Sequence, residues 1–448
     1  MSARLNFLCL SEDSAAQKRC QVLAQEFQYS FLAVDSVAAV TALESQYEQA
    51  QFILIRSRAA EKQEDLAGKI QTARQIFKES FIVLVLDSGI SPEMKEFSRK
   101  SGVNMLFLET EFLQTSRLEF VASQVIRASY VPVKLGEFPK DSVLDFTLYH
   151  LMPLNQKLLP VLPKGVALNE ARLKKLEGIG EVFVRREEVD RYRHYVEAHP
   201  DASGQGLKSK CRAQYLSLCN SHSQLIFLLV DQSEGATVKE GKWLYDRCEI
   251  LARDLLTTLS GVGEAWDVVN NSSLGEFGSV ERSPTIAAYA GLISLLSTSG
   301  EPVDVMVAAL LSDVGMLQLP PDLTKKMRQT HDLSGLNEVE MAQYHQHPVF
   351  SVENLAPKIQ IKEEIKEIIL CSHERADGKG FPQQREATKI PVGSLLMQFS
   401  ELIDRGAMVK MGQARSSVQQ VRHDLLEQET QNPQIFPAPL LQKLKPIL

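Results

Sequence analysis

The sequence predicts a multidomain protein with an N-terminal doubly wound α/β domain, a small α+β middle domain and an all-α C-terminal domain. Three observations predict this architecture. Short apolar runs alternate with helical patterns over the first 130 residues, a mixed segment follows, and apolar residues recur at helical spacing in everything after Leu207. The length of 448 residues agrees with about two to four domains of ordinary size.

The N-terminal domain, residues 1–130, is predicted from five apolar runs that read as buried strands. These runs are Leu5–Leu10, Phe31–Val34, Phe52–Ile55, Phe81–Leu86 and Met105–Leu108. Near-continuous apolar strands are typical of a parallel sheet that is covered on both faces. Helical patterns lie between them; one begins at Ser91-Pro92-Glu93, with a capping residue followed by proline. We expect five strands and five helices in strict alternation.

The next segment, residues 131–200, mixes strand and helix patterns. Two strands are expected within Phe146–Val161 around the turn Pro153–Asn155, and a third strand at Glu181–Val184. Helices are expected at Asn169–Leu176 and Val189–Glu197. Residues 201–207 begin with turn-forming residues and predict a linker. Residues 208–448 then form the helical domain.

Composition excludes several classes of protein. With 44% hydrophobic and 23% charged residues, disorder is not expected as the main state. A net charge of -7 argues against binding of nucleic acid or of an anionic membrane as the main function. No apolar run approaches the roughly 18–20 residues that span a bilayer, and no signal peptide is predicted. The six cysteines form no C-x-x-C pair, so we expect a protein of the reducing cytoplasm.

The N-terminal domain resembles the receiver domain of bacterial two-component response regulators over about Leu5 to Ala128. Receivers hold Mg²⁺ with acids after the first strand, accept a phosphoryl group on an aspartate after the third, and carry a lysine after the fifth. Here the acids are Glu12 and Asp13, the phosphoacceptor position is Arg56, and the lysine position is Glu109. An arginine cannot accept a phosphoryl group. The resemblance therefore implies a pseudo-receiver.

Two interpretations of Arg56 follow. It is either a solvated charge at the end of a strand, or it stands where the metal would be and pairs with Glu12, Asp13 or Glu109. The second interpretation implies one fixed conformation with a surface for dimerisation or docking.

The C-terminal half contains the segment SHERADGKGFP, Ser372 to Pro382. This segment resembles the HD-GYP family of cyclic di-GMP phosphodiesterases, and the flanking helical patterns extend the resemblance over about Asp267 to Leu441. The resemblance implies an HD-type helical fold in which two or three adjacent metal ions activate water. It also implies that the loop contributes to partner docking and substrate contact. The loop residues are Asp377, Gly378, Lys379, Gly380, Phe381 and Pro382.

Several positions depart from the family pattern. The positions expected to carry three histidines and a phosphate-binding lysine are Arg282, Ser312, Ser372 and Met316, respectively. The surviving metal ligands are Asp313, His347, His373 and Glu401, with Asp404 as the alternative to Glu401 in another register. Four donors suffice for one zinc-like ion but not for two octahedral ions. We therefore expect no resident cofactor, or at most one divalent metal, and no confident catalytic residue beyond the residual Asp313.

The survivors also have structural interpretations. Asp313 is expected to face Arg282 in an ion pair that replaces the metal. The pair His373-Glu374 is expected to tie a helix end to the following loop, and His345 to be exposed. Phe381, in place of tyrosine, is expected to keep a face for stacking, which leaves nucleotide binding without hydrolysis open.

The sequence favours a signalling protein with a catalytically degenerate HD-GYP domain, acting as a protein-interaction or cyclic di-GMP-linked adaptor. The alternative is a weakly active, metal-dependent cyclic di-GMP phosphodiesterase, and a third possibility is a scaffold that binds no nucleotide. The expected partners are other signalling proteins, such as diguanylate cyclases or HD-GYP proteins. Cyclic di-GMP and a second copy of the chain remain open as partners; nucleic acid and membrane are not expected.

Overall fold

The computed structural model describes residues 3–57, 61–87, 91–114, 116–126, 129–152, 157–178, 181–199, 205–231, 238–272, 279–330, 333–407 and 417–448. The chain forms two compact units. The first comprises Met1–Ala128, Phe227–Lys239 and Leu317–Pro321, and the second comprises Ser129–Ile226, Glu240–Met316 and Asp322–Leu448. The predicted domain boundaries at residues 130, 200 and 207 remain predictions.

The first unit contains a five-stranded parallel sheet in the order β2-β1-β3-β4-β5, which is a doubly wound arrangement. Its strands are β1 (Ala3–Leu10), β2 (Phe31–Val34), β3 (Tyr47–Arg56), β4 (Phe81–Leu86) and β5 (Met105–Leu108). Its helices are α1 (Ser14–Glu26), α2 (Val37–Ala42), α3 (Gln63–Ile76), α4 (Pro92–Lys100), α5 (Glu109–Gln114) and α6 (Arg117–Ile126). An N-terminal α/β domain with a parallel sheet is thereby confirmed.

Apolar strands account for this sheet. The side chains of Leu8, Ile53 and Leu84 on the three central strands are fully buried. The capping signal before α4 is confirmed, since the Ser91 hydroxyl accepts a hydrogen bond from the Met94 amide at 3.2 Å. Strand β3 is longer than predicted because its polar first residues pair with β1, beginning with Tyr47 opposite Ala3. The described part of the unit has six helices rather than five.

The second unit begins with a four-stranded sheet in the order β6-β9-β7-β8. The strands are β6 (Tyr130–Lys134), β7 (Leu148–Met152), β8 (Lys157–Leu162) and β9 (Glu181–Arg185), and the helices are α7 (Glu170–Glu177) and α8 (Val189–Ala198). Phe146 and Tyr192, both fully buried, meet edge to face in its core. The predicted turn at Pro153–Asn155 and residues 201–204 of the predicted linker lie outside the described residues.

The rest of the second unit is helical. The helices are α9 (Gln205–Val230), which continues into the first unit, α10 (Val238–Leu259), α11 (Ala265–Ser272), α12 (Ser279–Ser297), α13 (Pro302–Leu311), α14 (Pro321–Thr330), α15 (Glu338–Tyr344), α16 (His347–Leu355), α17 (Glu363–Leu370), α18 (Val392–Ala407), α19 (Val418–Gln431) and α20 (Ala438–Leu444). None of the helices in the described ranges is long and apolar enough to cross a bilayer.

Candidate metal site in the helical region

Three potential metal ligands from separate parts of the helical region converge. Asp313 follows α13, His347 begins α16, and His373 follows α17. The His347 Nε2 atom lies 3.0 Å from His373 Nε2 and 3.7 Å from Asp313 Oδ1. One ligand atom from each residue lies within 4.8 Å of the other two. Imidazole nitrogens and a carboxylate oxygen at these spacings are suitable ligands for a transition metal.

A close approach of two backbone segments brings Asp313 to His347. A Cβ atom on Gly315 would lie 2.1 Å from the His347 carbonyl oxygen and 2.6 Å from the Ser351 nitrogen, so only glycine fits. The Gly315 amide donates to the Ser351 hydroxyl at 2.8 Å, and that hydroxyl donates to the Ser312 carbonyl. The turn that carries Asp313 is therefore fixed against α16.

Both histidines are held in the form that binds metals. Burial, and then the neighbouring His373 ring, lower the pKa of His347 to about 3. Burial, and then the charge of Arg405, lower the pKa of His373 to about 3. Because the His347 Nδ1 atom donates to the Tyr344 carbonyl at 2.7 Å, the lone pair is on Nε2, which faces the other two ligands.

Two carboxylates, those of Asp313 and Glu401, are the acidic groups at the cluster. Burial, and then the charge of Glu401, raise the pKa of Asp313 to about 7. Glu401 lies on α18, and its Oε2 atom is 3.8 Å from His373 Nδ1. The chemistry of Asp313, His347 and His373, with Glu401 beside them, fits one divalent metal ion.

Arg282 on α12 pairs with Asp404 on α18. Its Nη2 and Nε atoms lie 2.5 Å and 2.6 Å from Asp404 Oδ2, and Nη2 also donates to the Asp404 carbonyl at 3.3 Å. The expectation that Arg282 faces Asp313 is therefore wrong. The reason is the position of Asp404 on α18. It lies one helical turn from Glu401, on the part of α18 that contacts α12, and α12 carries Arg282.

Arg405 is a second guanidinium at the site, and the sequence analysis missed it. It forms an ion pair with Glu401, whose charge is the main reason that the pKa of Arg405 lies above its usual value. The spacing of four residues between Glu401 and Arg405 on a predicted helix is the signal that could have found this pair.

A comparison with known protein families matches part of the helical region. Residues 268–420 match the HD domain family. This segment is an HD domain. The match confirms the predicted HD-type region and includes Arg282, Asp313, His347, His373 and Arg405.

Other comparisons are distant. A search of curated proteins gave no match. Among solved structures, the chain is similar to Bd1817, an HDG"Y"P protein from Bdellovibrio bacteriovorus, at 18% identity and a TM-score of 0.44. The similarity covers 71% of this chain and 99% of that one.

The other positions that depart from the expected motif lie in the interior of the HD domain. The Ser312 hydroxyl donates to the Ala309 carbonyl at 3.2 Å, and the Met316 side chain is buried. Ser372 is also buried, and its hydroxyl has no hydrogen-bond partner among the described residues. These side chains supply no imidazole or ammonium group.

The loop from Asp377 to Pro382 is held by a buried carboxylate and by a close backbone approach at Gly380. The fully buried Glu374 carboxylate accepts hydrogen bonds from the amides of Gln383 at 2.7 Å and Arg385 at 2.8 Å. A Cβ on Gly380 would lie 2.4 Å from the Arg375 nitrogen, so this position requires glycine. The structure thus agrees with the expectation that the residues His373-Glu374 tie a helix end to the loop.

The Phe381 ring has both faces covered. It stacks on His345 with 4.1 Å between ring centroids and on His373 with 4.6 Å, and both interplanar angles are 13°. The expected free stacking face is therefore absent in this conformation, and His345 is half-buried rather than exposed. Beside the ring is a cavity of ≈ 250 Å³ whose lining includes Lys379, Gln398 and Arg405.

Arg56 lies at the carboxyl end of β3 in the first unit and contacts three carboxylates. Its nitrogens are 2.5 Å from Asp13, 2.9 Å from Glu109 and 3.1 Å from Asp87. Two of these acids were predicted as partners. Asp87 was missed, although its position after β4 places it at the same edge of the sheet.

Proposed function

We propose that this chain is a signalling protein whose HD domain is of the HD-GYP type and is catalytically degenerate. In this proposal it acts as a protein-interaction or cyclic di-GMP-linked adaptor. The family match over residues 268–420 and the DGKGFP segment support the assignment to this type. The observation that carries the loss of catalysis is the Arg282–Asp404 ion pair, with 2.5 Å between Nη2 and Oδ2.

This ion pair removes two ligands at once. The guanidinium is a permanent cation in place of an imidazole, and the carboxylate that it holds is no longer available to a metal. A single bound ion would be held by Asp313, His347 and His373 and would supply Lewis-acid chemistry. Phosphodiester hydrolysis by adjacent ions needs a second set of ligands, for which the residues at positions 312 and 372 provide only hydroxyls.

We further propose that the first unit is a pseudo-receiver. Its sheet order and the position of Arg56 after β3 support this assignment. The three ion pairs of Arg56 favour one fixed conformation, which would present a docking surface to other signalling proteins. Labelling with a small phosphodonor in the presence of Mg²⁺ tests this part; incorporation of phosphate into the first unit would contradict it.

Hydrolysis and metal content test the proposed function together. The purified full chain is incubated with cyclic di-GMP and Mn²⁺, the linear product is quantified by chromatography, and bound metals are counted by mass spectrometry. We expect no turnover and at most one ion per chain. Sustained turnover with two or more tightly bound ions would refute the proposal. Calorimetric titration with cyclic di-GMP then distinguishes a nucleotide-linked adaptor from one that binds only proteins.

A second candidate function is a weakly active, metal-dependent phosphodiesterase. The observation that favours it is the convergence of Asp313, His347 and His373 within 4.8 Å, with both imidazoles neutral. In that case slow turnover should depend on one ion and disappear in His347→Ala. The adaptor is preferred because Arg282 and Arg405 hold the other two nearby carboxylates, those of Asp404 and Glu401.

A further inference from the structure

We infer that Arg405 is an internal competitor of the metal ion. It holds Glu401, which would otherwise be the fourth ligand of an ion bound by Asp313, His347 and His373. Metal affinity in this HD domain is therefore set by an arginine that is not itself a ligand. The inference concerns metal binding alone and goes beyond the proposed function, because it holds whether or not the domain binds or hydrolyses a nucleotide.

The position of Glu401 supports its role as a withheld ligand. Its Oε2 atom lies 3.8 Å from His373 Nδ1, so the carboxylate stands beside the cluster. Its other oxygen, Oε1, pairs with the Arg405 guanidinium one helical turn along α18. Zinc-like ions commonly take four ligands. Asp313, His347 and His373 provide three, and the Glu401 carboxylate beside the His373 ring is the candidate for the fourth.

Charge supports the same conclusion. The Arg405 guanidinium pairs with Glu401, whose Oε2 atom lies 3.8 Å from His373, so its positive charge stands next to the proposed metal site. A divalent cation bound here would be attracted by the carboxylates of Asp313 and Glu401 and repelled by the guanidinium of Arg405. Removing the guanidinium would remove this repulsion, which is screened less at a partly buried site than in water.

We expect fold stability to depend little on the Arg405–Glu401 pair. The Arg405 side chain is 34% exposed and the Glu401 side chain 19%, so solvent screens part of their attraction, and the pair has the four-residue spacing of an ion pair along a helix. Such pairs contribute little to stability. Removing the guanidinium should therefore change metal binding without unfolding the domain, which makes the inference testable by substitution.

The experiment is a titration of the full chain with Co²⁺, followed by its absorption spectrum, and with Zn²⁺, followed by calorimetry, both after treatment with a chelator. The variants are Arg405→Ala, Glu401→Gln and the double variant. We expect Arg405→Ala to bind Co²⁺ and Zn²⁺ about 10–100-fold more tightly than the wild type, the size of effect seen when groups around metal ligands are changed. The Co²⁺ spectrum should change as a carboxylate enters the coordination shell.

The double variant separates ligand release from simple charge removal. If Glu401 becomes a ligand, the gain in affinity disappears in Arg405→Ala/Glu401→Gln. Arg253→Ala is the matched control, because Arg253 pairs with Glu249 at the same four-residue spacing on α10; it should bind as the wild type does. Equal affinity of Arg405→Ala and the wild type would overturn the inference, as would a gain that survives in the double variant. Nucleotide hydrolysis by the wild-type chain would contradict the proposed function and leave this inference unaffected.

Discussion

The two units each place arginine among carboxylates, but with different results. In the first unit one guanidinium contacts Asp13, Asp87 and Glu109. In the HD domain two guanidiniums each hold one carboxylate, Asp404 and Glu401, and Asp313 stays beside two neutral imidazoles. In the first cluster one internal cation contacts all three carboxylates, whereas the second cluster keeps a set of metal ligands.

The difference shows that arginine affects the two clusters of acids to different extents. A guanidinium with several donors can contact three carboxylates at once, so one arginine can replace a bound cation in the first unit. A neutral imidazole ring needs no counter-ion, and in the HD domain burial keeps His347 and His373 neutral.

The largest effect is expected from restoring imidazoles to the HD domain. Arg282→His combined with Ser312→His and Ser372→His frees Asp404 and adds three nitrogen ligands. Tightly bound metal should rise from at most one ion per chain to two, measured by mass spectrometry after purification with Mn²⁺. Circular dichroism checks that the variant folds, and Arg282→Gln, which frees Asp404 without adding an imidazole, is the control. A folded triple variant that still binds one ion would contradict the contrast.

The next effect concerns the backbone contact beneath the site. Gly315→Ala would place a Cβ 2.1 Å from the His347 carbonyl oxygen. The segments must move apart, and we expect a loss of about 3 kcal/mol in the free energy of unfolding, as for an overpacked core. Urea unfolding measures it. Gly136→Ala is the control, since nothing lies within 4 Å of its added Cβ. Equal stability of the two variants would refute this account of the turn.

The pH dependence of stability in the helical region is a third test. His222 is buried, donates from Nε2 to the Leu310 carbonyl at 2.8 Å, and has its pKa lowered by burial from 6.5 to about 4. The neutral form of His222 is favoured in the folded chain, so its contribution to the free energy of unfolding is complete above pH 6.5 and is lost as the pH falls towards 4. Over this pH range we expect the free energy of unfolding of His222→Gln to fall by about 3 kcal/mol less than that of the wild type. The exposed His423→Gln should follow the wild-type profile.

The smallest effect is expected in the first unit. Arg56→Gln leaves three carboxylates without their shared cation, which should cost about 2 kcal/mol, less than for a fully buried pair because these groups are partly exposed. Millimolar Mg²⁺ should raise the melting temperature of the variant and leave that of the wild type unchanged. Arg191→Gln, which removes an exposed ion pair with Glu188, controls for loss of surface charge. An Mg²⁺ response in the wild type would contradict the contrast between the units.

The sequence predicted the regular parts of the fold well. Strands at Phe31–Val34, Phe81–Leu86 and Met105–Leu108 have the predicted bounds, because apolar runs between turn residues define buried strands. The start of β3 was missed because residues near Tyr47 are polar and join the sheet only through pairing with β1. Strand β6 was also not predicted, since its pairing with β9 is non-local.

The site was predictable in its ligands and only in part in its ion pairs. Asp313, His347 and His373 follow from motif positions, and the structure brings them together. The partner of Arg282 depends on how α12 and α18 pack, which no local pattern in the sequence specifies. Arg405 could have been found from its spacing to Glu401, whereas the covering of Phe381 by His345 required the folded loop.

The buried Glu374 carboxylate has a consequence for recognition. It anchors the amides of Gln383 and Arg385, so the outline of the preceding loop depends on the protein's own acid rather than on an added cation. A binding partner would therefore encounter the same contour with or without an ion nearby. The shape of the loop is thus set by different residues from those that would hold a metal ion.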